Sequence, residues 1–101
     1  AVEGSLSKEA IQSVVNRNLG QLRACYERNL LKNPTMSGKI VARWQVETNG
    51  RPSGVSAALD SLGDAETTQC VLTAIRGWRF PSPDGGSVRI SYPFHFSSTG
   101  A

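Results

Sequence analysis

The chain has 101 residues, 39% hydrophobic and 19% charged, with 11 basic against 8 acidic side chains and a formal net charge of +3. That composition specifies one small globular domain: too apolar for intrinsic disorder, too short for two cores, and without the roughly 18-residue apolar run of a membrane span. Its first residues, Ala1-Val2-Glu3-Gly4-Ser5, carry no targeting signal, so the expectation is a domain taken from a longer protein, with any membrane anchor outside it.

Ser7 is an N-cap residue, and Leu6 and Ile11 flank it where a hydrophobic staple would sit, so a helix begins there. Apolar residues recur at intervals of three and four through Ile11, Val14, Val15, Leu19, Leu22, Cys25, Tyr26 and Leu30, which predicts one buried stripe. Asn33-Pro34 stops this helix, because the residue before proline is pushed out of the helical region. From Gly38 the period changes to two. Ile40, Ala42, Trp44 and Val46 share one face, and Lys39, Arg43, Gln45 and Glu47 the other, which predicts a half-buried strand. Asn49-Gly50 predicts a type I′ hairpin turn, and a second strand returns antiparallel through Val55, Ala57 and Leu59. Pro52 and Gly54 mark it as an edge strand with room for a bulge.

Asp64 caps a second helix whose inner face is Val71, Ala74, Ile75 and Trp78, with Cys70 beside it and Pro81 forbidding continuation. After the turn-rich stretch 81–86, alternation resumes through Val88, Ile90, Tyr92, Phe94 and Phe96, with Arg89, Ser91, Pro93 and His95 opposite. The predicted order is α-β-β-α-β: a three-stranded antiparallel sheet of strand order 2-1-3 with both helices on one face, spanning residues 6–97 between flexible ends at 1–5 and 98–101. The aromatic residues Trp44, Trp78, Phe80, Tyr92, Phe94 and Phe96 are assigned to the core.

The basic balance does not specify a nucleic-acid binder. Eight of the 11 cations are arginines spread over the whole chain, with acids interleaved and no run of lysine or arginine. Cys25 and Cys70 stand 45 positions apart, too far for a CxxC redox or zinc pair, and His95 is the lone histidine, so neither a metal nor another cofactor is expected. The two cysteines are either a disulfide or two reduced, buried small hydrophobes. A thiol nucleophile served by His95 is disfavoured, since the cysteines map to inner helix faces and His95 to the opposite face of the last strand. Asp60, Asp64 and Glu66 cluster where a helix N-terminus favours acids, and Gly85-Gly86 lacks the lysine and helix of a phosphate loop. No enzyme is expected.

The stretch from Gly38 to Val46, then Asn49-Gly50, Val71, the run Ala74-Ile75-Arg76-Gly77-Trp78-Arg79-Phe80-Pro81, Gly85-Gly86 and the ending Phe94-His95-Phe96 resemble a TonB C-terminal domain over residues 38–96. A narrower resemblance, to the AgmX/PglI type of C-terminal domain from myxobacterial gliding-motility proteins, rests on Cys25-Tyr26-Glu27, Pro34 with Gly38, Cys70-Val71, Trp78-Arg79-Phe80-Pro81 and Ser91-Tyr92-Pro93-Phe94-His95-Phe96. This resemblance implies the periplasmic end of an inner-membrane-anchored, envelope-spanning protein, an oxidising compartment and therefore a Cys25–Cys70 disulfide. It also implies protein partners in the periplasm or outer membrane. TonB domains that energise outer-membrane transporters carry a Tyr-Pro motif ahead of the first strand, where this chain has a cysteine-bearing helix. A motility role is accordingly expected, with a TonB-type transducer, a homodimerising structural domain, or binding in a groove between the helices and the last strand as alternatives. TonB-like partner capture works by strand addition, and Pro93 places the last strand at an edge, so Ser87, Val88, Arg89, Ile90, Ser91 and Tyr92 are the candidate partner-binding residues.

Overall fold

The computed structural model describes residues 4–97, so the terminal segments 1–3 and 98–101 lie outside the described residues. Five elements follow in the predicted order: α1 (Lys8–Leu30), β1 (Gly38–Val46), β2 (Pro52–Asp60), α2 (Ala65–Arg76) and β3 (Val88–Phe96). The strands form one antiparallel sheet in the order β2-β1-β3, leaving β2 and β3 each with a free edge.

Helix α1 starts where Ser7, in an extended conformation, accepts the Ala10 N–H on Oγ at 3.0 Å. Glu9 in the first turn and Arg28 in the last complement the helix dipole. Its buried stripe is Val14, Val15, Leu22, Cys25, Tyr26 and Asn29. The stripe is narrower than its apolar pattern predicts: Leu19 is 40% exposed, because it sits at the margin facing β3, beyond which no element covers it. Asn29 is tolerated inside because its Nδ2 donates to the Cys25 carbonyl at 3.1 Å. The Asn29 carbonyl accepts the N–H groups of Lys32 and Asn33, which closes the helix ahead of Pro34. The Tyr26 hydroxyl then donates to the Met36 carbonyl, pinning the loop that leads into β1.

Ile40, Ala42, Trp44 and Val46 of β1 are all buried against the helices. Their pairing with β3 is continuous over nine positions, from Gly38↔Phe96 to Val46↔Val88. The pairing with β2 is not. Register shifts between Val41 and Ala42, and between Arg43 and Gln45, place an extra residue on β2 each time. The first shift pairs Leu59 with Val41, whose side chain is on the helix-free face. One inserted residue turns a strand's following side chains to the other face, so Leu59, in phase with Val55 and Ala57 in the sequence, is 45% exposed on the outside. Gly54, at φ 59, provides the backbone for the second shift.

The hairpin also departs from the expected type I′ turn. Among the described residues no non-glycine residue has positive φ, so Asn49 cannot occupy a primed turn. The loop has three residues, Thr48-Asn49-Gly50, with Gly50 N–H donating to the Glu47 carbonyl and Glu47 N–H to the Arg51 carbonyl. Asn49 uses its Oδ1 to accept the Arg51 N–H at 3.0 Å. Gly50 is required twice: its φ is 82, and a Cβ there would meet the Phe80 carbonyl oxygen at 2.1 Å.

Asp64 caps α2, its Oδ1 accepting from the N–H groups of Glu66 and Thr67. The segment after α2 folds back into the core rather than away from it. Trp78 and Phe80 are buried and surround Trp44 at ring separations of 6.2 and 6.0 Å, and Trp78 meets Phe94 at 6.3 Å. Each such aromatic pair contributes roughly 0.5–1.5 kcal/mol beyond the area it buries. Trp78 Nε1 donates to Gln21 Oε1 on α1, and Phe80 N–H to the Gly50 carbonyl, so this turn ties α1, α2 and the hairpin together. Cys25 of α1 and Cys70 of α2 form a disulfide, with an S–S distance of 2.00 Å and Cα atoms 5.7 Å apart.

Candidate functional site

The two free edges differ in kind. On β2 the line of backbone groups is broken by two bulges, and begins at a proline. Irregularity of this sort keeps a sheet edge from templating another strand. On β3 the register is regular throughout. Pro93 has no N–H to give, and in an unbroken antiparallel ladder a proline nitrogen belongs on the unpaired side. Alternation then turns the backbone groups of Arg89, Ser91, Pro93 and His95 to the free edge, and those of Val88, Ile90, Tyr92, Phe94 and Phe96 to β1. The six candidate residues thus divide: Arg89 and Ser91 hold the outward backbone donors, while Val88, Ile90 and Tyr92 face inward. Ser87 precedes the strand, and its carbonyl accepts the Gly4 N–H at 2.8 Å. Gly4 and Ser5, expected as part of a flexible end, are held there, with Ser5 and Asp84 exchanging N–H···O bonds of 2.9 and 3.1 Å.

Beside this edge runs a groove of about 650 Å³ between α1 and β3. Its helical wall includes Gln12, Leu19, Leu22, Arg23 and Tyr26, and its strand wall Tyr92, Phe94 and Phe96. Tyr92 and Phe96, assigned to the core by periodicity, are only half-buried here, because they line the open groove between α1 and β3. Phe96 rests on Tyr26 at 5.3 Å, Tyr92 on Phe94 at 5.0 Å, and the Tyr92 hydroxyl donates to Gln12 Oε1 at 2.8 Å. A strand laid on β3 would send alternate side chains into this apolar trough. Sequence periodicity named apolar residues of both walls, Leu19, Leu22 and Tyr26 on α1 and Tyr92, Phe94 and Phe96 on β3, but as parts of buried faces; the 40% exposure of Leu19 is what marks the open groove.

Both cysteines are consumed in the disulfide. His95 is exposed on the helix-free face. Among the described residues no three His, Cys, Asp or Glu side chains gather as metal ligands. Nor is any described helix long and apolar enough to cross a membrane.

Neither a family profile nor a curated protein sequence matches the chain. A solved structure does: the solution structure of the Helicobacter pylori TonB C-terminal domain is similar over 92% of this chain and 94% of that one, at 15% identity and a TM-score of 0.51. The fold is TonB C-terminal-like.

Proposed function

We propose that this TonB-like domain is a non-enzymatic protein-binding module that captures an extended partner segment by adding it as a fourth strand along β3. The observation that carries the reading is the contrast between the edges: β2 is bulged twice, and β3 is regular, unpaired from Val88 to Phe96 among the described residues, and flanked by an apolar groove. Main-chain bonds to Arg89 and Ser91 supply affinity, and side chains entering the groove beside Leu19 and Tyr92 supply selectivity. The Cys25–Cys70 bond supports a periplasmic setting, because such bonds persist in oxidising compartments. Within that setting the domain serves an inner-membrane-anchored, envelope-spanning machine, with gliding motility the role favoured by the Cys25-Tyr26-Glu27 and Ser91-Tyr92-Pro93-Phe94 motifs.

The test is photocrosslinking in cells from p-benzoylphenylalanine at Arg89, with and without Ser91→Pro, which removes an outward N–H while leaving the ladder to β1 intact. Crosslinks to an envelope protein that disappear with Ser91→Pro support strand addition. A product of twice the domain's mass would identify a homodimer through the same edge. Crosslinks indifferent to Ser91→Pro, or equally strong from Thr73 on the exposed side of α2, refute the reading.

A further inference from the structure

The sheet has a second surface, the face turned away from both helices. Register fixes what stands on it. Val41 of β1 pairs with Leu59 on one side and Pro93 on the other, giving one apolar rung across all three strands. On one flank of that rung Lys39 pairs with His95; on the other Arg43 pairs with Ser91, and Gln45 with Arg89. Arg43, Gln45, Arg89, Ser53 and Ser91 also line a depression of about 470 Å³. The side chains of Lys39, Arg43 and Arg89 make no hydrogen bond or ion pair among the described residues. Glu47, at the hairpin end, is the acid nearest in register, and its Oε2 already accepts from Gln45 Nε2 and Ser53 Oγ.

Arg43 and Arg89 are diagonal neighbours on adjacent strands, an arrangement in which like charges oppose folding and opposite charges support it. A face with cations on both flanks of an apolar rung, and no free carboxylate of its own, is complementary to the inverse pattern. We infer that this face docks a protein segment presenting an apolar side chain flanked by carboxylates. The rung takes the apolar group. Arg43 and Arg89 take carboxylates through their forked N–H donors, bidentate where geometry allows. A polyanionic nucleic acid fits less well, because Trp44, Tyr92, Phe94 and Phe96 all face the helices, which leaves this face no row of aromatic rings on which successive bases could stack, only the imidazole of His95. A strand added beside β3 extends the sheet without lying over this face, so the two surfaces can be occupied together.

The experiment titrates the isotope-labelled domain with a short amphipathic peptide carrying leucines flanked by glutamates, its glutamine counterpart, and a DNA duplex. Expected are amide shifts at Val41, Arg43, Leu59, Arg89 and Ser91 with the glutamate peptide, diminishing as salt is raised. The Arg43→Gln/Arg89→Gln variant should bind it about tenfold or more weakly, with an unfolding midpoint no lower than the parent's. Equal binding of the glutamine peptide, shifts confined to the α1–β3 groove, preferential binding of DNA, or no shifts with any probe would each overturn the inference. Arg43→Gln alone, on the central strand and away from the β3 edge, provides the separation from strand addition: it weakens binding of the glutamate peptide and leaves the Ser91→Pro-sensitive crosslinking at the β3 edge in place.

Discussion

Breaking the Cys25–Cys70 bond should cost this domain a large share of its stability through the unfolded chain. The bond closes a loop with a sequence separation of 45. In the chain-entropy description that restraint removes about 13 cal/mol/K from the unfolded ensemble, or about 4 kcal/mol at 25 °C. A domain of this length has a net stability of about 5–15 kcal/mol. With about 2.1 cal/mol/K of unfolding entropy per residue, the loss lowers the melting temperature by roughly 20 °C. Urea unfolding followed by the fluorescence of buried Trp44 and Trp78 measures it directly, with the parent protein oxidised, the parent reduced, and a Cys25→Ala/Cys70→Ala variant. Reduction keeps the sulfur atoms in place and alanine removes them, so the loss common to both reports loop closure and the remainder reports packing. The dependence on urea should also steepen once the bond is gone, since a freed chain exposes more surface on unfolding. A common loss below about 1 kcal/mol with an unchanged slope would refute the reasoning.

Gly50→Ala should destabilise by about 2 kcal/mol or more, because the new methyl group faces both a positive φ and the Phe80 carbonyl; equilibrium unfolding measures it. Asp64→Ala removes the acceptor for two N–H groups of α2 and should cost about 1 kcal/mol, read from the urea midpoint. Ile90→Pro and Ser91→Pro form a matched pair. The first orphans a carbonyl on β1 and should cost about 1–3 kcal/mol, while the second should leave the melting temperature near the parent's. Equal losses in the two variants would show that the outward residues of β3 have been assigned the wrong way round.

Much of the fold is legible in the residues because its signals are local. Ser7 and Asp64 cap the helices they were expected to cap, and the switch from helical spacing to strict alternation at Gly38 coincides with the start of β1. The strand order follows from one hairpin and one proline at an edge. What escapes is what depends on register. A two-residue primed turn and a three-residue loop both place glycine after Asn49, so the dipeptide does not distinguish them. Leu59 obeys the alternation of an unbroken strand until an insertion turns it over. The cations tell the same story: Lys39, Arg43 and Arg89 are scattered in sequence and meet only because β1 and β3 pair. The groove was half legible. Tyr92 and Phe96 stand on the apolar face of β3, but how far α1 extends over them is a matter of helix placement, which periodicity does not encode.

The disulfide also divides the chain mechanically. β1, β2 and the hairpin lie wholly between Cys25 and Cys70, while most of α1 and all of β3 lie outside. Tension applied at the two ends of the described chain runs through α1 to one sulfur, across to the other, and on through α2 to β3. It bypasses the two strands in between. About 150 Å of extended backbone is thereby withheld from stretching, and a pull can peel β3 or unwind α1 but cannot unravel the central strand from within. A captured strand hauled away from β3 would therefore load the one strand that lies outside the locked segment.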